Sequence, residues 1–438
     1  MDKILEHEES DKSINHAESD KSINHAESEA CLDYEELLNE ILNIGMVMIQ
    51  SGAETFRVEE SLYHMCQAYD VEHCDFFAIQ SNIQATLVSK DKKHYTQIRR
   101  IFNSNNNFAR LSQLNTLTGY ICRHAPEPKE IHVMFEDIMN QKQPSAGLIY
   151  VAALMGEFGF SGLVGCNLLD MFVVLLVTGF IMMGFGHWLM KKEQNTFIYN
   201  LILCSLSAFL VASLNNWGLP IHEERVILGI IFFLIGGLGI SNGIRDMINR
   251  DLMSGLLNLM NSVMGALGIA CGIFVGLMIW RKGITIDFSA STNDYLGLLL
   301  TGIGALGFAV YYNTPVGEAM ACAVGAILAD LGYILGIHAG WDAFYAMLLA
   351  AGITSACAFL MSRIYRSPAI VFLTTIILPL VPGSHLYAGM CAVIQKDYGV
   401  AKNEFFLLLS LCLAIQLGFM LVDIIIRFLL YAFGKHRI

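Results

Sequence analysis

Apolar and polar residues divide the chain near residue 145. From Ala146 onward the sequence consists of apolar segments about 20 residues long, the length of helix that crosses the roughly 30 Å hydrocarbon core of a bilayer. Before that point, apolar residues recur at helical or alternating spacing among charged residues. This pattern predicts a polytopic α-helical membrane protein that carries a small α/β domain at its N-terminal end.

The apolar part divides into about ten predicted transmembrane helices. Because each half then has an odd number of spans, the two five-helix halves enter the membrane with opposite topology, as in transporters built from inverted repeats. Lysine and arginine are more frequent in the connections on the side of the N-terminal domain, which predicts that this domain and the C-terminus are cytoplasmic. The predicted spans are 146–165, 168–190, 196–216, 226–242, 255–280, 295–313, 316–336, 341–361, 369–393 and 404–431.

Four regions follow from these boundaries: an acidic tail (1–31), a cytoplasmic α/β domain (32–143), a first membrane half (144–285) and a second membrane half (286–438). The tail contains the nonapeptide ESDKSINHA twice and has no hydrophobic face, so we expect it to be disordered. The expected elements of the α/β domain are helices around 37–48 and 58–66, strands at 76–89 and 94–102, and helices at 108–121 and 127–140.

Composition narrows the classes of function. Of the 438 residues, 15% are charged, whereas an ordinary soluble domain has roughly 25%. The net charge of −12 lies largely before the apolar part and disfavours nucleic acid as a partner. The 11 cysteines contain no CxxC pair, so neither disulfides nor a metal site is expected. No Walker motif is present, and the sequence predicts no cofactor.

Two apolar segments are interrupted at matching places in the two halves, which is typical of a transporter's binding site. The first ends in polar residues whose side chains suit the charged ends of a small zwitterion, and the second is broken by prolines that free backbone carbonyls. The simpler interpretations are a surface ion pair for the first and a packing kink for the second. The predicted substrate-path residues are Asn242, Arg245, Asp246, Pro379, Pro382, Gly383, Ser384 and Tyr387.

Asp330 lies in the middle of a predicted span, where an ionisable side chain indicates a proton relay or a substrate contact. Glu157 and Glu318 are weaker candidates for the same pathway. Gly268, Gly272 and Gly276 recur four residues apart, a spacing that lets helices approach closely. We expect this face to serve packing, and it is also compatible with a homo-oligomer.

Five motifs resemble the threonine/serine exporter family: SGAETFRVEE (51–60), QIRRIF (97–102), NNFARLSQLNTLTGYI (106–121), NGIRD (242–246) and LPLVPGSHLY (378–387). The resemblance implies a ten-span secondary carrier with a cytoplasmic N-terminal domain that exports small hydrophilic metabolites. Bacterial relatives include two-subunit forms linked to succinate export. One departure is Gln80-Ser81, where relatives tend to have Pro-Thr.

The same resemblance implies a gating or regulatory contact of Glu54, Arg57 and Glu59 with the membrane domain, although acidic residues at a helix start also simply suit the helix dipole. The predicted function is export of threonine and serine across the bacterial inner membrane, driven by the proton motive force. Two alternatives stay open. One is export of a dicarboxylate such as succinate, and the other is a membrane-anchored enzyme or sensor that acts through residues 33–143.

Overall fold

The computed structural model describes residues 33–101, 106–193, 195–234, 237–248, 251–280 and 294–432. The tail with its repeated nonapeptide lies outside these residues, as does the predicted boundary between the two membrane halves at 285–286.

The described residues of the N-terminal region form four helices and one antiparallel sheet with the strand order β1-β2-β3. Asp33 caps the first helix through its side chain, and apolar faces of the first two helices pack against the sheet. The elements are α1 (Tyr34–Gln50), α2 (Thr55–Gln67), β1 (His73–Ile79), β2 (Asn82–Val88), β3 (His94–Arg100), α3 (Phe108–His124) and α4 (Pro128–Met139).

The strand predicted over 76–89 is wrong, because the structure has a hairpin there. Ile79 pairs with Asn82, so Gln80 and Ser81 form a two-residue turn between β1 and β2. The turn contains neither glycine nor asparagine at its two central positions, which are the residues that normally mark a tight hairpin turn in a sequence. The apolar residues on both sides therefore looked like one continuous strand.

The remaining described residues are almost entirely helical. One helix, α6, changes to π-helical geometry over Thr178–Phe185. The helices are α5 (Ala146–Leu163), α6 (Leu168–Met190), α7 (Thr196–Asn216), α8 (Glu223–Phe232), α9 (Gly237–Ile248), α10 (Leu252–Met278), α11 (Asp294–Tyr311), α12 (Val316–His338), α13 (Ala343–Tyr365), α14 (Ala369–Ile377), α15 (Gly383–Ile394) and α16 (Tyr398–Ala432).

Within the described residues, 8 helices are long and apolar enough to cross a membrane, and a bent pair, α14 with α15, brings the number to 9. The predicted fourth span (226–242) instead consists of two shorter helices, α8 and α9, and residues 235–236 between them are not described. The chain is thus a multi-pass membrane protein. Within the first segment that the sequence indicated a helix ends at Phe232, and the second segment bends at its prolines.

Helices α5 and α11 pack antiparallel through a motif that each of them carries, Gly-x-x-Gly-Phe, at 156–160 and 304–308. A methyl group on Gly307 would lie 2.6 Å from the Cα of Gly156 and 2.7 Å from the carbonyl oxygen of Ala152. The rings of Phe160 and Phe308 stack with centroids 5.0 Å apart. The glycines therefore permit backbone contact, and the two phenylalanines close over it.

The other contacts between helices occur in matching sets. Helix α7 packs on α10 as α13 packs on α16, and α9 packs on α10 as α15 packs on α16. Helices α6 and α12 are both 23 residues long and follow α5 and α11 at the same interval. The second set of helices thus repeats the packing of the first.

Gly268, Gly272 and Gly276 on α10 lie against the backbone of α7. A methyl group on Gly268 would lie 2.6 Å from the carbonyl oxygen of Phe197, and one on Gly272 would lie 2.5 Å from that of Leu201. The expectation that this face serves packing is met within the chain. Because α7 covers it, the face offers no surface for a second copy.

Candidate functional site

Asn242, Arg245 and Asp246 lie within helix α9 and not at a helix interruption, as the sequence analysis had placed them. The interruption lies earlier, between Phe232, where α8 ends, and Gly237, where α9 begins. Glycines are concentrated in this stretch, and glycine is among the residues least favourable to a helix interior. The polar side chains of the NGIRD motif are therefore carried by a helix that follows the interruption.

Two glycines bring α9 onto α10 and so position Asp246. A methyl group on Gly243 would lie 2.8 Å from the carbonyl oxygen of Gly255, and one on Gly255 would lie 2.6 Å from that of Gly243. At this close approach the Nδ2 of Asn258 on α10 donates a hydrogen bond to Oδ2 of Asp246, 2.8 Å away. Asp246 is buried, and this amide compensates part of the cost of burying a carboxylate.

Arg245 forms an ion pair with Glu54, at the start of α2 in the N-terminal domain. The two side chains are 21% and 12% exposed, so water screens the pair only weakly. The guanidinium carbon also lies 5.9 Å from the ring centroid of Phe419 on α16, a distance that suits a cation–π contact. The arginine is thus held between the soluble domain and a membrane helix, with its charge compensated.

Next to this ion pair, two hydrogen bonds among the described residues join the N-terminal domain to α10. Thr55 Oγ1 donates to Oδ2 of Asp251 at 2.9 Å, and Asp251 in turn caps α10. Gln80 Nε2, in the hairpin turn, donates to Oδ1 of Asn258 at 2.6 Å. Together with the pair of Glu54, these bonds form what we call the domain contact.

The second predicted segment bends as its prolines indicated. Helix α14 continues as a short 3-10 helix that includes Pro379, and α15 then begins after Pro382 at an angle of 52°. Gly383 starts the new helix, and its N–H donates to the carbonyl of Val381 at 2.7 Å. The bend follows from the missing proline N–H groups, which remove the hydrogen bonds that would continue the helix.

The residues after the bend differ in their surroundings. Ser384 lies in the first turn of α15, and Tyr387 is buried among residues of α8 and Cys391. His385 Nδ1 lies 2.8 Å from Oε2 of Glu404 on α16, and both side chains are largely shielded from water. The hydrogen bond thus joins the first turn of α15 to α16.

The structure brings the two predicted segments together. Apolar residues of α9 and α15 form one cluster with residues of α10 and α16. The cluster, which we call the junction, contains Ile240, Ile244, Leu259, Ala266, Leu386, Met390, Phe405, Leu408 and Cys412. Helices α9 and α15, which come from the two predicted segments, are therefore in direct contact. The domain contact lies on α9 and α10, beside the junction.

Two of the predicted membrane carboxylates, Asp330 and Glu318, have hydrogen-bond partners outside the junction. Asp330 on α12 accepts a 2.6 Å hydrogen bond from Oγ1 of Thr301 on α11. Glu318, at the start of α12, accepts one from Ser367 at 2.7 Å, and the hydroxyl of Ser367 lies 3.0 Å from that of Ser112 in the N-terminal domain. Both carboxylates thus have hydroxyl partners.

Glu54 alone of the three predicted gating residues contacts the membrane helices in the described part of the chain. Arg57 lies over the ring of Phe56 and 3.9 Å from Glu60, in an exposed pair within α2. Glu59 Oε1 accepts a 2.6 Å hydrogen bond from the N–H of Ala78 on β1. Burial raises the pKa of Glu59, this hydrogen bond opposes the rise, and the charge of Asp251 adds to it.

Sequence reasoning missed most of the domain contact. Thr55 and Asp251 are 196 positions apart, so no local pattern links them. Asn258 gave the one available signal, since it is an amide within an apolar segment. Gln80 was noted only as a departure from the family pattern, and the structure places it against this amide. Among the described residues, no group of three or more His, Cys, Asp or Glu side chains could hold a metal ion.

Two family models cover the chain. One for the threonine/serine exporter family matches residues 40–280, and the model described as Threonine/Serine exporter, ThrE, matches residues 297–425. The chain belongs to the threonine/serine exporter family. Membership supports a transport role for this multi-pass membrane protein.

Individual relatives agree with the family models. The chain is 23% identical over 390 residues to the "Probable threonine/serine exporter" of Mycobacterium tuberculosis, which covers 84% of this chain and 72% of that protein. It is 21% identical over 378 residues to the "Threonine/serine exporter" of Corynebacterium glutamicum, covering 82% and 76%. An "Uncharacterized protein" of Haemophilus influenzae is 28% identical over 132 residues, covering 30% and 43%. No solved structure matches significantly.

Proposed function

We propose that the protein is a secondary transporter that exports threonine and serine across the bacterial inner membrane, driven by the proton motive force. The observation that carries this proposal is the junction, where two interrupted helices meet between α10 and α16. Interrupted helices in contact near the middle of a membrane protein are the usual site of substrate binding in transporters with internal repeats.

The transporter has ten spans in two inverted halves, with α8 and α9 together forming the fourth span. Support comes from the repeated Gly-x-x-Gly-Phe motif, whose two copies lie roughly 150 residues apart and contact each other antiparallel. The matching helix contacts of the two sets agree with it. The N-terminal domain lies on the side of the connections rich in lysine and arginine, which supports a cytoplasmic location.

The charges beside the junction favour an amino acid over a dicarboxylate. Arg245 is paired with Glu54, and His385 is hydrogen-bonded to Glu404, so each basic side chain already faces a carboxylate. Asp246 adds a further buried acid. A zwitterion brings one charge of each sign and can exchange with such pairs, whereas a dianion would bring two charges that these acids repel.

The domain contact gives Glu54 a gating role. Its ion pair with Arg245 closes the cytoplasmic end of α9, and its separation would free the arginine for the carboxylate of a substrate. An enzyme or sensor confined to residues 33–143 is the weaker alternative, because nothing in its chemistry would need hydrogen bonds to Asp251 and Asn258. Asp330 is the proposed proton-coupling residue, since its only described partner is the hydroxyl of Thr301.

The test is counterflow in proteoliposomes loaded with unlabelled threonine, serine or succinate and given labelled threonine. Threonine and serine loads should each stimulate uptake and succinate should not. Stimulation by succinate together with uptake of labelled succinate would instead indicate a dicarboxylate carrier. No stimulation with folded protein would refute the proposal.

Coupling is tested with Asp330→Asn, which should exchange threonine normally but accumulate little of it when a pH gradient is applied. Asp423→Asn is the matched control, because Asp423 lies on α16 with its side chain 55% exposed and paired with Arg427. Normal gradient-driven accumulation by Asp330→Asn would show that this residue does not couple protons.

A further inference from the structure

Glu157 on α5 is a carboxyl group that is fully buried at 0% exposure. Neither of its oxygens, Oε1 or Oε2, has a hydrogen-bond partner among the described residues. Other carboxylates of the membrane helices differ in this respect, since Asp170, Asp246, Glu318 and Asp330 each accept at least one hydrogen bond. An ionised carboxylate without a partner is very costly in a medium of low polarity, so the group needs either a bound proton or a bound cation.

A second unpartnered polar group lies at the same depth. Thr178 on α6 is also 0% exposed, and its Oγ1 has no partner among the described residues. Gly229 on α8 shows that Thr178 and Glu157 lie at the same depth. It contacts Val174, one turn from Thr178 on α6, and Ser161, one turn from Glu157 on α5. Because α5 and α6 run antiparallel, the hydroxyl and the carboxyl face the same layer between α5, α6 and α8.

Helix irregularities surround this layer. The π-helical stretch of α6 begins at Thr178, and π-helical turns are frequent at functional sites. On the other side, Phe160, one turn beyond Glu157, lies with its ring centroid 5.8 Å from that of Phe232, the last residue of α8. The carboxyl group is thus one turn from a residue that packs on the end of α8.

Other ionisable groups do not account for Glu157. The packed elements carry the Cys166 thiol ahead of α6 and the Tyr311 phenol on α11, both neutral groups at physiological pH. The nearest formal charges on α6 and α8 are Asp170, two turns before Thr178, and Arg225, one turn before Gly229. Asp170 is held by His222 and Arg225 by a backbone carbonyl, so neither supplies a counter-charge.

We infer that Glu157 is a proton-carrying residue of the transport cycle, in addition to Asp330. This inference rests on the proposed proton-driven export. In the arrangement seen here the carboxyl group is neutral and carries the proton. When α5, α6 and α8 separate and admit water to the layer, the O–H bond breaks and the proton passes to water on that side. The carboxylate then takes a proton from water on the other side before the helices pack together again.

The experiment compares wild type, Glu157→Gln and the control Asp423→Asn in three measurements. Glutamine has the shape of the protonated acid, so Glu157→Gln should keep threonine counterflow but lose the dependence of counterflow on pH. It should also lose accumulation under a pH gradient, with the ratio of internal to external threonine falling to about 1, the value without coupling. Thr178→Val, which removes the neighbouring hydroxyl, should shift the pH dependence of counterflow without abolishing exchange.

The third measurement needs no substrate. Infrared difference spectra of purified protein after a pH change should contain a carboxyl C=O band that is absent in Glu157→Gln. If wild type fails to exchange threonine, this band still tests the residue, so failure of the proposed function and failure of the inference are distinguishable. Three results would each overturn the inference. Glu157→Gln could accumulate threonine as well as wild type does, folded Glu157→Gln could lose exchange and accumulation equally, or a sodium gradient alone could drive accumulation.

Discussion

Replacing Gly307 with alanine should destabilise the protein more than any other single methyl group added to α11. The new Cβ would lie 2.6 Å from the Cα of Gly156 and 2.7 Å from the carbonyl oxygen of Ala152. Both are backbone atoms, which cannot rotate away as a side chain can. Helices α5 and α11 must therefore separate by nearly 1 Å, and overpacking of this kind costs about 2–3 kcal/mol.

Gly147→Ala on α5 is the matched control, because no atom lies within 4 Å of a methyl group at that position. Alanine is favoured over glycine in a helix by roughly 0.5–1 kcal/mol, so the control should be neutral or slightly stabilised. Thermal unfolding of both variants in the same detergent, followed by tryptophan fluorescence, gives the comparison. If Gly307→Ala unfolds at or above the temperature of Gly147→Ala, the close contact of α5 with α11 does not exist in the protein.

Two further predictions concern the N-terminal domain. A double-mutant cycle of Glu54→Gln and Arg245→Gln should give a coupling energy of about 1–3 kcal/mol, measured by hydrogen exchange at the start of α2, because the pair is mostly shielded from water. The same cycle on the exposed pair Arg57–Glu60 should give less than about 0.5 kcal/mol, and equal values would refute the distinction. Because burial raises the pKa of Glu59, its ionisation disfavours the folded domain, so stability should fall as pH rises from 4.5 through the raised pKa. Glu59→Gln should remove this fall in thermal melts taken across that range, and an unchanged pH dependence would contradict it.

The sequence predicted the membrane helices well because their length is a physical requirement of the bilayer. Helices α6 and α7 match the predicted spans at both ends, and the bend at Pro379 and Pro382 follows from chemistry that one residue carries by itself. Features of this kind can be predicted from a short stretch of sequence, because they do not depend on contacts with distant residues. The position of the first interruption was misread because NGIRD is conspicuous for its charges, whereas α8 already ends at Phe232, before the NGIRD motif begins at Asn242.

Contacts between distant parts of the chain were not readable in the same way. In the sequence, the polar residues of α9 and α10 have the pattern of a membrane protein's surface, whereas the structure places the N-terminal domain on them. Gln80 was read as a residue within a strand, whereas it lies in the hairpin turn. Glu54 was singled out only through its family motif. Its partner, Arg245, was singled out for a different reason, and the structure alone relates the two observations.

The proposed internal repeat distinguishes residues that serve the fold, which recur in both halves, from residues that occur in one half alone. Asp170 and Glu318 occupy the same place, the third residue of α6 and of α12, and each binds the connection before an interrupted helix, through His222 and Ser367 respectively. The two acids therefore have the same structural role, which is to hold the start of an interrupted helix against the helix that carries the acid.

Glu157 and Asp330 are not repeated. Ala305 holds the place of Glu157 in the second Gly-x-x-Gly-Phe motif, and Met182 holds the place of Asp330 in α6. A symmetric scaffold needs no acid at these positions, because alanine and methionine fill the equivalent places. Glu157 and Asp330 therefore each place an energetically costly carboxyl group within the membrane helices, at positions where the other half has an apolar residue. The proposed proton-driven cycle, in which protons enter from one side and leave on the other, would give both acids a role that the scaffold does not.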